Sequence, residues 1–141
     1  MTINEEQDSI IEEFSNFEEW MDKYSYLIDL SELLPVINDK YKTDNNLING
    51  CQSKVWLNAE FDGELIHFSA DSDAIITKGI VSLLIRVLNH RTPDEIINTE
   101  LYFIDKIGLK EHLSPTRSNG LLSMVKQMKI YAMAYKAKSN N

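Results

Sequence analysis

Cys51 is the single thiol in a chain of 141 residues. One cysteine cannot form an internal disulfide, a cysteine-rich zinc site or an all-cysteine iron–sulfur site. A free cysteine is most often a small buried hydrophobe, but the position of this one argues otherwise. It follows a polar stretch and Gly50, precedes Gln52 and Ser53, and belongs to no apolar period. An accessible thiol where a loop meets a sheet edge suits a nucleophile or a sulfur carrier. A hydrolytic thiol would need a base beside it. The candidates are His67 on an expected strand, His90 near a helix end and His112 before a helix cap, and nothing in the sequence brings one of them to Cys51. Each histidine reads first as structural. No HExxH, P-loop or GxGxxG pattern occurs, so zincin and mononucleotide chemistry have no support.

Arg117 is a second candidate. It falls in the first turn expected after Ser114-Pro115, where a cation opposes the helix dipole. It reads either as a solvated arginine or as a cation kept for a partner carboxylate or an anionic sulfur species. Asp71 and Asp73 read as helix-cap residues.

The elements that must position these residues follow from spacing. Thr2 with Glu5 fits a capping box, and Asn16 with Glu19 offers a second. Ile10, Ile11 and Phe14, then Trp20, Tyr24, Leu27 and Ile28, mark amphipathic helices that end before Pro35. The stretch 35–50, rich in Asn, Asp and Gly, reads as a long loop. Val55 to Phe61 alternates, Asp62-Gly63 signals a two-residue hairpin, and residues 65–68 return as its partner. Leu47-Ile48 is expected to add a short third strand. A helix is expected to start at Asp71-Ser72-Asp73 with an acidic first turn; from Ala74 to Leu88 it is apolar nearly all round and reads as the central core helix. Thr92-Pro93-Asp94-Glu95 is a capping box with proline at the first helical position. Gly108 closes the segment before it. Leu121, Met124, Val125, Met128, Ala132 and Tyr135 make one stripe of a final long helix, and residues 136–141 are expected to fray.

Composition bounds the rest. Hydrophobic residues make up 43% of the chain and charged residues 26%, ordinary for a globular protein. The length suits one domain, 1–141, with a folded surface of ~7,500 Å² and a core that needs neither disulfide nor metal. No apolar run approaches a membrane span, and the acidic start MTINEEQDS has no signal-peptide core, so the chain is read as cytoplasmic. The net charge of −8 lacks the basic footprint of a nucleic-acid binder. Residues 1–33 carry ten acids against one base, whereas residues 109–141 carry one acid against six bases. The plain reading is two solvated helical faces attracting each other; the other is a docking surface for a charged protein.

The segment Gly50-Cys-Gln-Ser-Lys-Val-Trp56 resembles the cysteine motif of the SufE/CsdE family of sulfur-acceptor proteins. The stretch from Trp20 to Pro35 resembles the family's WxxKYxYLIxLGxxLP, with Ser31 where many members have glycine. Asp71-Ser-Asp-Ala74 with Ile76, Lys78 and Gly79 is similar to its DSDAxIVKG stretch. Thr92-Pro93-Asp94, Gly108-Leu109 and the run from His112 to Met124 resemble later motifs, the last of them GLxxHLxPxRxxGLxxM. These matches run in order over nearly the whole chain; region 35–46 matches poorly, as a variable loop would.

The resemblance implies an α+β, two-layer SufE/NifU-like fold: N-terminal helices, a three-stranded antiparallel sheet, then C-terminal helices. Iron–sulfur scaffold proteins share that fold but use several ligating cysteines, so a single cysteine implies carrying sulfur and no metal site. The implied activity is a relay in which Cys51 takes persulfide sulfur from a PLP-dependent cysteine desulfurase of the SufS or CsdA type, stimulates it, and passes the sulfur to a SufBCD-type scaffold. PLP belongs to the desulfurase; this chain needs no cofactor, and it acts as an accessory rather than a stand-alone enzyme, as a monomer or homodimer. The candidate binding residues are Gly50, Gln52, Ser53, Asp73 and Arg117, with Gly50 allowing the loop to shift, Gln52 and Ser53 offering polar contacts to sulfur, and Arg117 facing anionic sulfur or a partner acid. Two alternatives remain: a docking activator with a structural cysteine, and a self-sufficient thiol enzyme.

Overall fold

The computed structural model describes residues 1–49, 53–113 and 115–139, with the side chains of Lys110, His112 and residues 115–118 not described. The chain exposes 7788 Å², close to the area expected for this mass.

Helix α1 (Ile3–Ser15) opens with the expected capping box: the Glu5 N–H donates to Thr2 Oγ1 at 3.1 Å and the Thr2 N–H to Glu5 Oε1 at 3.0 Å. It buries Ile3, Ile10 and Phe14 together with Gln7. The Gln7 amide is satisfied by the Glu100 carbonyl and the Phe103 N–H, as a buried polar group must be. Helix α2 (Trp20–Ser31) starts at Glu19 with no side-chain cap. The expected Asn16–Glu19 cap does not form, because Asn16 is itself the C-terminal cap of α1, in right-handed helical conformation.

The hairpin is antiparallel, β1 (Val55–Phe61) with β2 (Ile66–Ser72), in register from Val55 opposite Ser72 to Phe61 opposite Ile66. Gly63 takes φ +100° at the turn, and Asp62 Oδ1 accepts the N–H groups of Glu64 and Leu65. The sheet has two strands among the described residues, not three. Leu47 makes only an isolated antiparallel bridge with Trp56, backed by the Ile48 N–H on the Val55 carbonyl at 2.9 Å. A 3-10 turn at Asp44–Asn46 ends just before Leu47, which leaves too little extended chain for a ladder.

The outer edge of β2 is covered by loop backbone. Ala70 donates to the Pro35 carbonyl and accepts from the Ile37 N–H, and Ile66 bonds Arg91 and His90 in the same manner. These contacts satisfy groups that an open edge would offer to another chain. A second 3-10 turn, Asp39–Tyr41, helps order the polar loop.

The core helix α3 (Ile75–Leu88) is buried along most of its length, from Gly79 to Ile85 and at Val87 and Leu88. It starts later than its acidic lead suggests. Asp71 and Ser72 extend β2, Ala74 is the N-terminal cap residue, and no acid lies in the first turn. The reason is local: the Ser72 hydroxyl accepts the Ala74 N–H, while Asp71 and Asp73 are engaged elsewhere. Helix α2 lies against α3 so closely that a Cβ on Gly79 would stand 2.1 Å from the Leu27 carbonyl oxygen.

Helix α4 (Pro93–Asn98) carries the expected Thr92/Glu95 capping box. Short helices α5 (Phe103–Lys106) and α6 (Leu109–His112) flank Gly108, which closes the turn at φ +78°. Helix α7 (Pro115–Ser139) buries Leu121, Met124, Met128 and Ala132 and packs chiefly on α4. Ser114, the expected cap of α7, lies outside the described residues. The Tyr135 hydroxyl of α7 donates to the Ala59 carbonyl at 2.9 Å. Because α1 and α2 pack on α3 and α7 on α4, the acidic and basic ends find separate partners. Glu6 and Glu13 of α1 hold Arg86 of α3, and Lys136 pairs with Asp94.

Candidate functional site

Gly50, Cys51 and Gln52 lie outside the described residues, as does the side chain of Arg117. The frame around them is described. On one side the Ile48 N–H meets the Val55 carbonyl, so the six residues that carry Cys51 are joined at their flanks. On the other side the Lys54 N–H donates to Asp73 Oδ1 at 3.0 Å, and the Asp73 N–H returns to the Lys54 carbonyl at 3.2 Å. Asp73, expected to cap a helix, instead fastens the chain leaving the cysteine segment to the chain entering α3. Ser53 is half-buried at this junction and Asp73 is exposed.

Beside the junction sits a brace that spacing did not predict. Asp71 accepts Lys42 Nζ at 3.0 Å on one oxygen and Lys78 Nζ at 3.2 Å on the other. Lys42 Nζ also lies 4.8 Å from the Trp56 ring centroid, a cation–π distance, and Trp56 is the cross-strand partner of Asp71. Burial pushes the Asp71 carboxyl up, but hydrogen bonds from Lys42, the Ser72 N–H and Lys78 outweigh it and hold the group below its ordinary value. The hydrogen bond to Asp71, with its charge, raises Lys42. The loop is thereby pinned to the sheet face next to the cysteine segment. The one sequence signal was Trp56, an aromatic on the polar side of an alternating strand; Lys42 is a long-range contact with no local signature.

His67 and His90 are elsewhere. His67 Nδ1 lies 2.6 Å from His90 Nδ1, and His67 Nε2 lies 2.8 Å from Asp62 Oδ2. This group stands at the hairpin end, where Phe61 faces Ile66, whereas Lys54 and Asp73 stand at the other end of the same two strands. Five residues of strand separate His67 from Ser72, about 17 Å at ~3.3 Å per residue. Neither His67 nor His90 therefore stands at the Lys54–Asp73 junction. Asp62 is held down to about 2 by the Leu65 N–H, His67 and the Glu64 N–H, and His90 takes φ +58°. The His112 side chain is not described.

A groove of about 250 Å³ opens next to the cysteine segment between Leu47, Ile48 and Asn49 and the α7 residues Ser123, Lys126, Gln127 and Ile130. No helix among the described residues is long and apolar enough to cross a membrane.

Comparison with known proteins bears on the family and the fold. A family model described as SufE, an Fe–S metabolism associated domain, matches residues 8–132. An uncharacterized SufE-like protein of Rhizobium meliloti (strain 1021) is 38% identical over 127 residues, covering 86% of this chain and 91% of that protein. The solution structure of a hypothetical protein from Thermus thermophilus superposes with a TM-score of 0.77 at 16% identity, covering 94% of this chain and 96% of that one, and so shares the fold. With the family match running unbroken across the cysteine motif, the Lys54–Asp73 junction and most of α7, the chain belongs to the SufE family, whose domain is associated with Fe–S metabolism.

Proposed function

We propose that this chain is a sulfur relay that acts on Cys51. A cysteine desulfurase of the SufS type, with its own PLP, holds sulfur as a persulfide. The Cys51 thiolate attacks the outer sulfur, the persulfide S–S bond breaks, and the desulfurase thiolate leaves. Cys51 then carries the persulfide to an acceptor of the SufBCD type. The chemistry is thiol–disulfide exchange, so its rate follows thiolate fraction and access. The reading places the protein in the cytoplasm with its desulfurase and asks for no cofactor on this chain. The observation that carries it is the SufE match across 8–132, which contains the chain's single cysteine. The pinned flanks support it, because a carrier thiol between two anchored residues can be offered to a partner without disturbing the core. Ser53 and Gln52 supply polar contacts to sulfur in this reading, and Arg117 supplies a cation for its anionic form.

The test is intact-mass analysis after incubation with a SufS-type desulfurase, PLP and cysteine. The expected result is a DTT-reversible gain of one sulfur atom mapped to Cys51. No gain, with the desulfurase still stimulated, would overturn the relay in favour of a docking activator.

A further inference from the structure

Helix α7 has two unlike faces. One buries Leu121, Met124, Met128 and Ala132. The opposite face leaves Leu122, Ile130 and Met133 exposed by 49%, 40% and 51%, with Ala134 and Ala137 exposed beside them. Steps of three and four residues place Leu122, Lys126, Ile130, Met133 and Ala137 in one stripe. An apolar row in water, here interrupted only by Lys126, marks an interaction surface when its members cluster as Ile130, Met133 and Ala137 do. The helix itself is basic: Lys126, Lys129, Lys136 and Lys138 lie on it, and no acid follows Glu111 in the chain. Lys136 is paired with Asp94 and Lys129 donates to the Thr99 carbonyl, so the charge offered at the groove is that of Lys126. The stripe also borders the groove whose other wall is Leu47, Ile48 and Asn49, and Asn49 is the residue before Gly50-Cys51.

We propose that the exposed stripe of α7 and this groove form a docking surface for an amphipathic helix, apolar on one face and flanked by acids, supplied by a protein that exchanges sulfur with Cys51. The partner's role rests on the relay reading; the surface itself does not. An apolar helix laid in a groove, anchored at three- and four-residue intervals, is a common recognition mode. The lysine charges select acidic margins and speed encounter. A second copy of this chain is a poorer occupant, since two such helices face to face bring basic residues of one sign together and supply no acid from either α7.

The test is an amide NMR titration of the full chain with two helical peptides that share one leucine face, flanked by Glu in one and by Lys in the other. The Glu peptide is expected to shift amides at 47–49 and 122–137 and to weaken as salt is raised. The Lys peptide is expected to bind at least about tenfold more weakly. Ile130→Asp should weaken the Glu peptide about tenfold, as loss of a central anchor does, and Lys126→Glu should narrow or reverse the preference between peptides. Both sites are exposed, so both variants should fold. Equal binding of the two peptides, no binding of either, or shifts confined to other elements would overturn the proposal. So would a dimer abolished by Ile130→Asp, which would assign the stripe to a second copy. The same titration on Cys51→Ser needs no sulfur, so failure of the surface shows in the peptides and failure of the relay shows only in the mass assay.

Discussion

Lys54 and Asp73 exchange two hydrogen bonds, 19 residues apart in sequence: the Lys54 N–H to the Asp73 carboxylate and the Asp73 N–H to the Lys54 carbonyl. The exit of the cysteine segment and the entry to α3 are thus one mechanical unit, with the Lys42–Asp71–Lys78 brace directly beside it. The core helix supplies the rigidity, and Ile48 and Lys54 are each fixed by backbone hydrogen bonds, to Val55 and to Asp73.

Asp73→Ala removes the acceptor for the Lys54 N–H. The expected cost is about 1 kcal/mol, the usual value of a side-chain hydrogen bond, read as a lower urea midpoint. Sulfur acceptance by Cys51 should slow severalfold because its downstream anchor is loosened. Asp73→Asn keeps an acceptor oxygen and should restore most of both. A variant set in which Ala and Asn behave alike would remove the anchoring role.

Gly79→Ala should be among the most damaging small substitutions in the chain. The new methyl would meet a backbone oxygen at 2.1 Å, and a carbonyl in a helix cannot step aside as a side chain can. Overpacking of this kind costs roughly 1–3 kcal/mol or more, so the melting temperature should fall by several degrees. An unchanged melting curve would contradict so close an approach of α2 to α3.

Stability should fall on acidification. The Arg86 guanidinium holds the Glu13 carboxyl below its ordinary value of 4.5, and the Leu65 N–H, His67 and the Glu64 N–H hold Asp62 down to about 2. A carboxyl lowered in the folded state stabilises above its unfolded pKa and loses that contribution as pH falls through the folded one. The urea midpoint should therefore drop between about pH 4.5 and pH 2. Asp62→Asn should flatten the lower part of that fall, and Arg86→Leu the part that Glu13 contributes. At the other end, burial and the hydrogen bond to Glu13 push Tyr26 up to about 12, so its contribution is intact below pH 10 and should fade between about pH 10 and pH 12. Urea titrations at stepped pH check both arms; a flat profile contradicts them.

Cys51→Ser should match the wild type in thermal and urea melts and carry no sulfur after incubation with the desulfurase. Sulfur on that variant would assign the carrier role to another atom.

Much of the architecture was legible because its signals are local. The Thr2/Glu5 and Thr92/Glu95 boxes, the Asp62-Gly63 turn and the apolar run of α3 each lie within a few helical turns or one hairpin of sequence. The errors came where a polar residue had two uses. Asn16 could cap α2 and instead closes α1; Asp71 and Asp73 could open α3 and instead bind Lys42, Lys78 and the Lys54 N–H. A side chain with several lone pairs takes the donor that folding brings nearest, and pattern alone does not say which donor that is. The third strand failed for a related reason: Leu47-Ile48 has strand-like residues, but the preceding turn at Asp44–Asn46 leaves it one bridge long.

The sequence by itself determined the helix and strand order, the single thiol, the motifs of the SufE family and the opposite charges of the two ends, since each is carried by residue type at short spacing. Only the tertiary structure decided that His67 and His90 pair with each other at the far end of the hairpin, that Asp73 binds the Lys54 backbone, and that Lys126 and Ile130 of α7 share a groove with Leu47, Ile48 and Asn49. Those are contacts between residues tens of positions apart. Their existence depends on the register of β1 with β2 and on how closely Gly79 lets α2 approach α3, quantities that no local period encodes.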